Sequence, residues 1–367
     1  MQVLSVSLRD FRSYRDAEVA LGPGLTVVSG PNGAGKTNLL EAIYFGSVGR
    51  SPRTANEREV VRFGAQTTRV VVRCEADDGQ HEVSVGFEPG QPKRLRVDGA
   101  TVERLIEAPE RPLVSVFLPD RLDLIKGAPS TRRAHVDQLV AALWPARVHA
   151  RRSYTQALAQ RNALIGRVRA GAGSRASLSS WDAQLSQHGI ALMHDRAAAV
   201  DAIGEDFCRI GERLGLEEEL RVAYRPRSHA ATADELREEL ASRAEQDLER
   251  GFTGHGPHRD ELATHLGGRD LRAFGSQGQQ RLALLALLLS EREAIAQQRS
   301  APPVMLLDDV MSELDRHRRR ALIDLLRAGG GQSVITTTDL EHVPGAEEEG
   351  VARVSISDGR VLAEVAA

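Results

Sequence analysis

The stretch Gly30-Pro31-Asn32-Gly33-Ala34-Gly35-Lys36-Thr37 fits the pattern Gly-x-x-x-x-Gly-Lys-Ser/Thr, and its surroundings decide the fold. Before it, residues 25–29 (LTVVS) form a short, β-branched apolar run that reads as a buried strand. After it, residues 38–48 put Leu39, Leu40, Ile43 and Tyr44 on one helical face. Strand, glycine-rich turn and helix in that order make a phosphate cradle. Glycines at 30, 33 and 35 let backbone N–H groups wrap phosphate oxygens, and the helix N-terminus adds a favourable field for anions. Lys36 is expected to reach the β- and γ-phosphates of ATP, and the Thr37 hydroxyl to ligate Mg²⁺. Asn32 and Asn38 complete the expected nucleotide-binding set. Lys36, Lys93 and Lys126 are the only lysines among 48 Lys+Arg, so a lysine in this slot is not a product of composition.

Further along, Val304-Met-Leu-Leu-Asp-Asp309 is an apolar strand ending in two carboxylates. Beside a phosphate loop, such a strand end puts one carboxylate on the Mg²⁺ shell and the next near the attacking water. Asp308 is expected to take the metal and Asp309 the water. Phe274-Gly-Ser-Gln-Gly-Gln-Gln280 leads into a helical run, so Ser276, Gly278 and Gln279 stand at a helix N-terminus, a second anion site. In isolation this is a capped helix. Its place ahead of the two-carboxylate strand is the order of an ABC ATPase signature, and Ser312-Glu-Leu-Asp315 sits where the D-loop follows. A signature of this kind completes the nucleotide site of a second subunit, which implies an ATP-gated homodimer.

Composition narrows the class. The chain has 367 residues, 41% of them hydrophobic, enough for a full core and two domains or one large domain with an insertion. Net charge is −3, so no global charge announces a polyanion. Cys74 and Cys208 stand apart without metal-like spacing and are expected to be reduced thiols. The start, MQVLSVSLRDF, lacks the pattern of a signal peptide. Residues 282–289, the longest apolar run, are too few to cross a bilayer. A cytoplasmic location is expected.

Residues 2–8 alternate as a half-buried strand does, and alternating runs broken by Asp-Asp-Gly and Pro-Gly between 67 and 97 predict antiparallel hairpins. From about 130 the pattern turns helical, with Ser130 as N-cap, a break at Pro145, and a turn at 171–180. A second helix is expected from Trp181 to Leu214, with Val200, Ile203, Phe207, Ile210 and Leu214 as a coiled-coil-like seam. Helix is expected over 279–298 and 315–328, and strand over 304–307 and 332–337. The fold class is therefore α/β: an ABC-type P-loop ATPase head with an inserted α-helical lid. The expected division is 1–125 for the first part of the head, 126–250 for the lid and 251–367 for the second part of the head.

The motifs together resemble the RecF family of bacterial recombination mediators, related to the heads of SMC and Rad50 proteins. Leu8-Arg-Asp-Phe-Arg-Ser-Tyr14, Asn38-Leu-Leu-Glu-Ala-Ile43, Phe117-Leu-Pro-Asp120, Ile125 to Arg133, Gly256-Pro-His-Arg-Asp-Glu261 and Leu306 to Asp315 carry the resemblance over nearly the whole chain. It implies ATP-dependent dimerisation and DNA binding at gaps, slow DNA-stimulated hydrolysis, and work with RecO and RecR in loading RecA. Two departures from the wider ABC pattern stand out. The second carboxylate is Asp309 rather than Glu, one methylene shorter. No histidine follows the last strand; Thr336, Thr337 and Thr338 occupy that region, with Thr338 the candidate for the γ-phosphate, and Asp120 lies about where a Q-loop glutamine is expected.

Two other readings compete. An SMC- or Rad50-like chromosome-structure ATPase needs a long arm, and residues 38–275 leave no room for one. A transporter subunit usually carries Leu-Ser-Gly-Gly-Gln, whereas Ser276 here follows Gly275 and precedes Gln277. Between Ser130 and Ala170 the arginines 132, 133, 147, 151, 152, 161, 167 and 169 face a single acid, Asp137, which suggests a DNA surface. The Gly-Pro context of His255, His258 and Asp260 favours a rigid turn over a metal site. The shorter Asp309 predicts slow turnover: steady-state hydrolysis by the purified protein stays far below tens per second, and a rate of that order overturns the assignment.

Overall fold

The computed structural model describes residues 1–118, 122–299 and 301–365. By its internal contacts the chain divides into two compact units, residues 1–121 with 295–367, and residues 122–294. The sequence reading put these divisions at 125/126 and 250/251. The chain itself divides at 121/122 and inside the signature helix, so residues 251–294 belong with the inserted unit.

The first part of unit one contains β1 (Gln2–Phe11), β2 (Tyr14–Ala20), β3 (Leu25–Ser29), α1 (Lys36–Val48), β4 (Thr68–Ala76), β5 (Gly79–Phe87), β6 (Arg94–Val97), β7 (Ala100–Thr101) and β8 (Val114–Phe117). Unit two contains α2 (Asp123–Lys126), α3 (Pro129–Leu143), α4 (Val148–Arg169), α5 (Leu178–Arg213), β9 (Leu220–Arg225), α6 (Ala233–Ser242), α7 (Ala244–Arg250), β10 (Glu261–Leu266), β11 (Arg269–Asp270), α8 (Leu271–Phe274) and most of α9 (Gln277–Arg299). The chain then returns to unit one with β12 (Val304–Leu307), α10 (Arg316–Ala328), β13 (Ser333–Thr337), β14 (Ala352–Ser357) and β15 (Arg360–Val365).

Unit one is built on two six-stranded sheets. The central one, in the order β15-β14-β3-β13-β12-β8, is parallel except for the antiparallel edge β15. Strands of a parallel sheet are covered on both faces and read as continuous apolar runs. That is why VMLL of β12 is buried at every position. The second sheet, β2-β1-β4-β5-β6-β7, is antiparallel throughout, as the alternation predicts. Its apolar face, with Val6, Leu8, Val70, Val72, Val83 and Val85, packs in one core with Leu39, Ile43 and Phe45 of α1. Gln332, just ahead of β13, joins the two sheets: its amide donates to the carbonyls of Val3 and Gly22, both at 2.7 Å, and accepts from the Val3 N–H at 2.9 Å.

In unit two, α4 and α5 form the expected helical pair. The seam residues Val200, Ile203, Phe207, Ile210 and Leu214 are all buried. The first helix begins two residues earlier than expected, with Pro129 in its first turn and Ala128 in the cap position. Proline's fixed φ and missing N–H suit that position, which displaces Ser130 as the cap. The unit is not wholly helical: β9 pairs with β10 in a three-stranded sheet with β11. The strand LRVAYR was overlooked because six residues between helical runs give little periodicity to read.

Close approach of α1 to the antiparallel sheet requires Gly46, since a Cβ there would stand 2.5 Å from Val72 Cγ2 and 2.9 Å from Val70 Cγ1. Gly46→Ala gains helix propensity but overpacks this contact. The expected net loss is about 1–3 kcal/mol, measured by chemical denaturation; an unchanged midpoint disproves the constraint.

Candidate nucleotide site

The parallel strands end on one side of the central sheet, where open α/β sheets bind their ligands. The phosphate loop leaves the end of β3 and enters α1. Gly30 is required by space: a Cβ would meet the carbonyl oxygen of Ile356 at 2.1 Å. Gly35 is required by conformation, with φ of 113° directly ahead of α1. The Tyr14 hydroxyl donates to its carbonyl at 3.0 Å, so the motif around Tyr14 braces the loop. Asn32 and Gly33 are exposed on the loop. Lys36 is buried, and its ammonium donates to the carbonyls of Gly30 (2.7 Å) and Pro31 (3.0 Å), folding back over the loop. Burial lowers its pKa, and the carboxylates of Asp309 and Asp308 oppose that shift.

Asp308 is the meeting point of three elements. The Thr37 hydroxyl, in the first turn of α1, lies 2.9 Å from each of its carboxylate oxygens. The Thr336 hydroxyl, near the end of β13, donates to Oδ1 at 2.7 Å and accepts from the Asp309 N–H at 2.9 Å. β13 lies between β3 and β12, so its threonine is placed to tie the Asp308 carboxylate to the Asp309 backbone N–H. Burial raises the Asp308 pKa; hydrogen bonds from Thr336 and Thr37 work against it, as does the charge of Arg53. Hard oxygen donors from Thr37 and Asp308 at one point fit a Mg²⁺ ion. Asp309 sits in the left-handed region at φ 44°, a conformation a non-glycine residue keeps only where its surroundings impose it. Its carboxylate accepts from the Ser312 hydroxyl at 3.0 Å.

Sequence reading put Thr338 in the γ-phosphate role. Thr338 is exposed just beyond the end of β13, and the Thr336 hydroxyl reaches the Asp308 carboxylate. Asp120, the Q-loop candidate, lies outside the described residues. The reading also missed Glu41. Its side chain is fully buried and accepts from Arg12 through two bonds (2.9 and 2.7 Å), from Arg53 (3.0 Å) and from Ser51 (2.6 Å). Arg53 also donates to Asn38 Oδ1 at 3.1 Å, and the Asn38 amide donates to Ser13 at 3.0 Å. Asn38 thus steadies the first turn of α1 from both sides. The signal was present, since Arg12 and Glu41 both lie in quoted motifs, but no spacing rule pairs residues 29 apart.

The signature residues belong to unit two. Ser276 and Gln279 form a reciprocal cap: Gln279 Oε1 accepts from the Ser276 N–H at 2.9 Å, and Ser276 Oγ accepts from the Gln279 N–H at 3.2 Å. Gly278 is exposed in the first turn of α9, and Phe274 is 73% exposed just before it. Asp315, closing the D-loop segment, caps α10 by accepting from the Arg318 N–H at 2.9 Å.

The arginine-rich stretch 130–170 is divided between internal and surface roles. Arg161 is fully buried and bonded to Asp182, Asp247 and Thr253. Arg132 is buried on Glu261, and Arg133 donates to the Asp260 carbonyl. Arg147 pairs with Asp195 and Arg151 with Asp137. Only Arg152, Arg167 and Arg169 remain exposed without an ion pair among the described residues. The turn at 255–260 is held within the protein: His255 bonds Glu239, His258 bonds Tyr154 and the Thr253 carbonyl, and Asp260 bonds Tyr224 and Arg196. No cluster able to hold a metal through His, Cys, Asp or Glu occurs among the described residues, and none of the helices among the described residues is long and apolar enough to cross a membrane.

Known proteins with this architecture were found at both levels. A family profile described as an AAA domain matches residues 5–114. A DNA replication and repair protein RecF from Anaeromyxobacter sp. (strain Fw109-5) is 37% identical over 370 residues, covering 98% of this chain and 99% of its own. A solved structure titled as the recombination mediator protein RecF-ATP in the RecFOR pathway superposes with a TM-score of 0.87 at 27% identity, over 99% of this chain and 97% of that one. An Smc head domain from Pyrococcus furiosus shares the fold alone, with a TM-score of 0.58 at 17% identity over 99% of this chain and 96% of its own.

Two consequences of the Asp308 arrangement are testable. A buried carboxylate with a raised pKa binds its proton more tightly in the folded state. It therefore costs stability at neutral pH, and that cost shrinks as pH falls toward the folded pKa. Asp308→Asn is expected to melt at or above the wild-type temperature without nucleotide and to lose the stabilisation that Mg-ATP gives; a lower melting temperature disproves the sign. Thr336→Val removes a positioning hydroxyl and is expected to lower ATP hydrolysis about ten- to a hundredfold, with Thr336→Ser restoring it. Equal rates in all three forms remove Thr336 from the site.

Proposed function

The chain belongs to the RecF family of DNA replication and repair proteins, and from that premise we propose that it is an ATP-dependent DNA-binding protein of recombinational repair and replication-fork maintenance. It binds ATP with Mg²⁺ and hydrolyses it slowly, with stimulation by DNA. It dimerises on ATP to hold DNA at gaps, and with RecO and RecR it promotes the loading of RecA. The observation that carries the reading is the joining of Thr37, Asp308 and Thr336 at the mouth of the phosphate loop.

Each residue has a role in that reading. Backbone N–H groups of residues 33–37 and the start of α1 cradle the phosphates. Lys36 leaves its carbonyl partners for the β- and γ-phosphates. Thr37 and Asp308 hold Mg²⁺, which supplies charge neutralisation across the phosphates. Asp309, set by its left-handed backbone and by Ser312, orients water and accepts its proton. Ser276, Gly278 and Gln279 turn from capping α9 to binding the γ-phosphate of a nucleotide held by a second copy. The RecFOR pathway is named for the solved relative; its extension to this chain rests on family membership. The helical insertion agrees with a short lid: α5 has 36 residues and α4 has 22.

Light scattering with and without ATP tests the reading, with Asp309→Asn used to slow hydrolysis, followed by binding to gapped duplex DNA. A shift from monomer to dimer with ATP, and DNA binding in that state, is expected. A protein that stays monomeric and ignores DNA leaves the phosphate loop intact and overturns the function.

A further inference from the structure

The antiparallel sheet of unit one has two faces, and only one is covered by α1. Cross-strand register defines the other. Directly opposed residues in antiparallel strands share a face. Arg9 on β1 opposes Arg69 on β4, Arg69 opposes Gly86 on β5, and Gly86 opposes Arg94 on β6. Three arginines therefore stand in one row across four strands, with Gly86 between Arg69 and Arg94. At about 4.8 Å between strands the row spans about 14 Å. Like charges in directly opposed positions destabilise a sheet. The Arg9–Arg69 pair is thus a local cost, eased by Asp16 opposite Arg9 and by Glu82 near Arg69.

Neighbouring rows differ. Arg73, further along β4, is held by Glu18 and Glu82 at 3.0 and 3.4 Å. Arg69 has Glu82 only at 4.0 Å, and no ion pair holds Arg9 or Arg94 among the described residues, although Asp16 opposes Arg9 on β2. Arg9, Arg69 and Arg94 are all exposed. Arg96, two residues from Arg94 on β6 and also exposed, adds to the positive charge of the same face from the next row.

A second feature lies at the same end of the sheet. The turn Arg62–Ala65 is tied to β1 by the Arg62 N–H on the Asp10 carbonyl (2.8 Å) and by the Arg62–Asp10 ion pair (2.7 Å). It leads directly into β4 and Arg69. At its tip Phe63 is 99% exposed. An exposed aromatic on the turn that leads into β4, together with exposed arginines on that sheet, is a combination that can bind a nucleic-acid backbone and stack on an unpaired base.

We propose that this open face is a DNA-binding surface, with Arg9, Arg69 and Arg94 on phosphates and Phe63 against an unpaired base where single strand meets duplex. The proposal rests on the DNA-binding function proposed above and gives it a location. It stands apart from the helical stretch 130–170, where Arg132, Arg147, Arg151 and Arg161 are held in ion pairs.

The test uses the full chain with ATP, titrated with gapped and intact duplex DNA across a salt series. The triple variant Arg9→Ser, Arg69→Ser, Arg94→Ser is expected to lose at least tenfold in affinity for both DNAs. Its log-affinity against log-salt slope is expected to flatten by about 2 to 3, near 0.9 for each phosphate no longer neutralised. The matching triple lysine variant keeps the slope, which separates lost charge from lost folding. Phe63→Ala is expected to keep duplex affinity and lose about tenfold of the preference for gapped DNA. If the wild type binds no DNA, the proposed function falls and this surface with it. If the wild type binds DNA and the serine variant matches it in affinity and slope, the face serves another partner, such as an acidic protein surface, and the proposal is overturned. Equal loss on both DNAs with Phe63→Ala overturns the stacking role.

Discussion

The carboxylate of Asp308 is buried at the end of β12, and its nearest compensation comes from hydroxyls. Hydroxyl hydrogen bonds offset only part of the cost of burying a charge. The unit carries that cost because Thr37 and Thr336 must be brought to one point, and each of them arrives on a different element. Thr37 fixes where α1 starts. Thr336 fixes where β13 ends and, through the Asp309 N–H, how the chain turns after β12. The strained backbone at Asp309 is therefore set by the same node that defines the phosphate loop's position.

Much of this was legible in the sequence. The strand before Gly30 and the helix after Thr37 appear within two residues of where the pattern put them. The pairing of Asp308 with Thr37 followed from motif order alone. What the sequence did not yield were relations between distant segments. Glu41 looks like an ordinary glutamate on a helix until Arg12 and Arg53 arrive from either side. Thr336 lies within β13 and Thr338 just beyond it, and no sequence pattern marks Thr336 as the one that bonds Asp308. β9 escaped because its partner β10 lies beyond two helices, and strand pairing is a property of the partner as much as of the strand.

Charge was the poorest guide. The stretch 130–170 suggested a basic face, yet Arg132 and Arg161 serve as internal fasteners, each gathering oxygens from segments far apart in the chain. Arginine's planar fork suits this use. Asp182, Asp247 and Glu261, which neutralise these groups, all lie outside the window in which the charge was counted. A local sum of charges measures surface character only when the partners are local as well.

The Gln332 bridge and the strand order carry one further consequence, for the order of assembly. β3, which delivers the phosphate loop, lies between β13 and β14, and β1 is fastened by a glutamine that stands 329 positions away. Non-local pairings of this kind form late, because the closure entropy of the intervening chain must be met first. On the ribosome, the N-terminal strands emerge long before their neighbours exist. Residues 122–294, with a core of their own, are free to fold in that interval. The nucleotide site is among the last things the nascent chain completes, so a truncated product has no means of binding nucleotide and cannot compete with the finished protein for it.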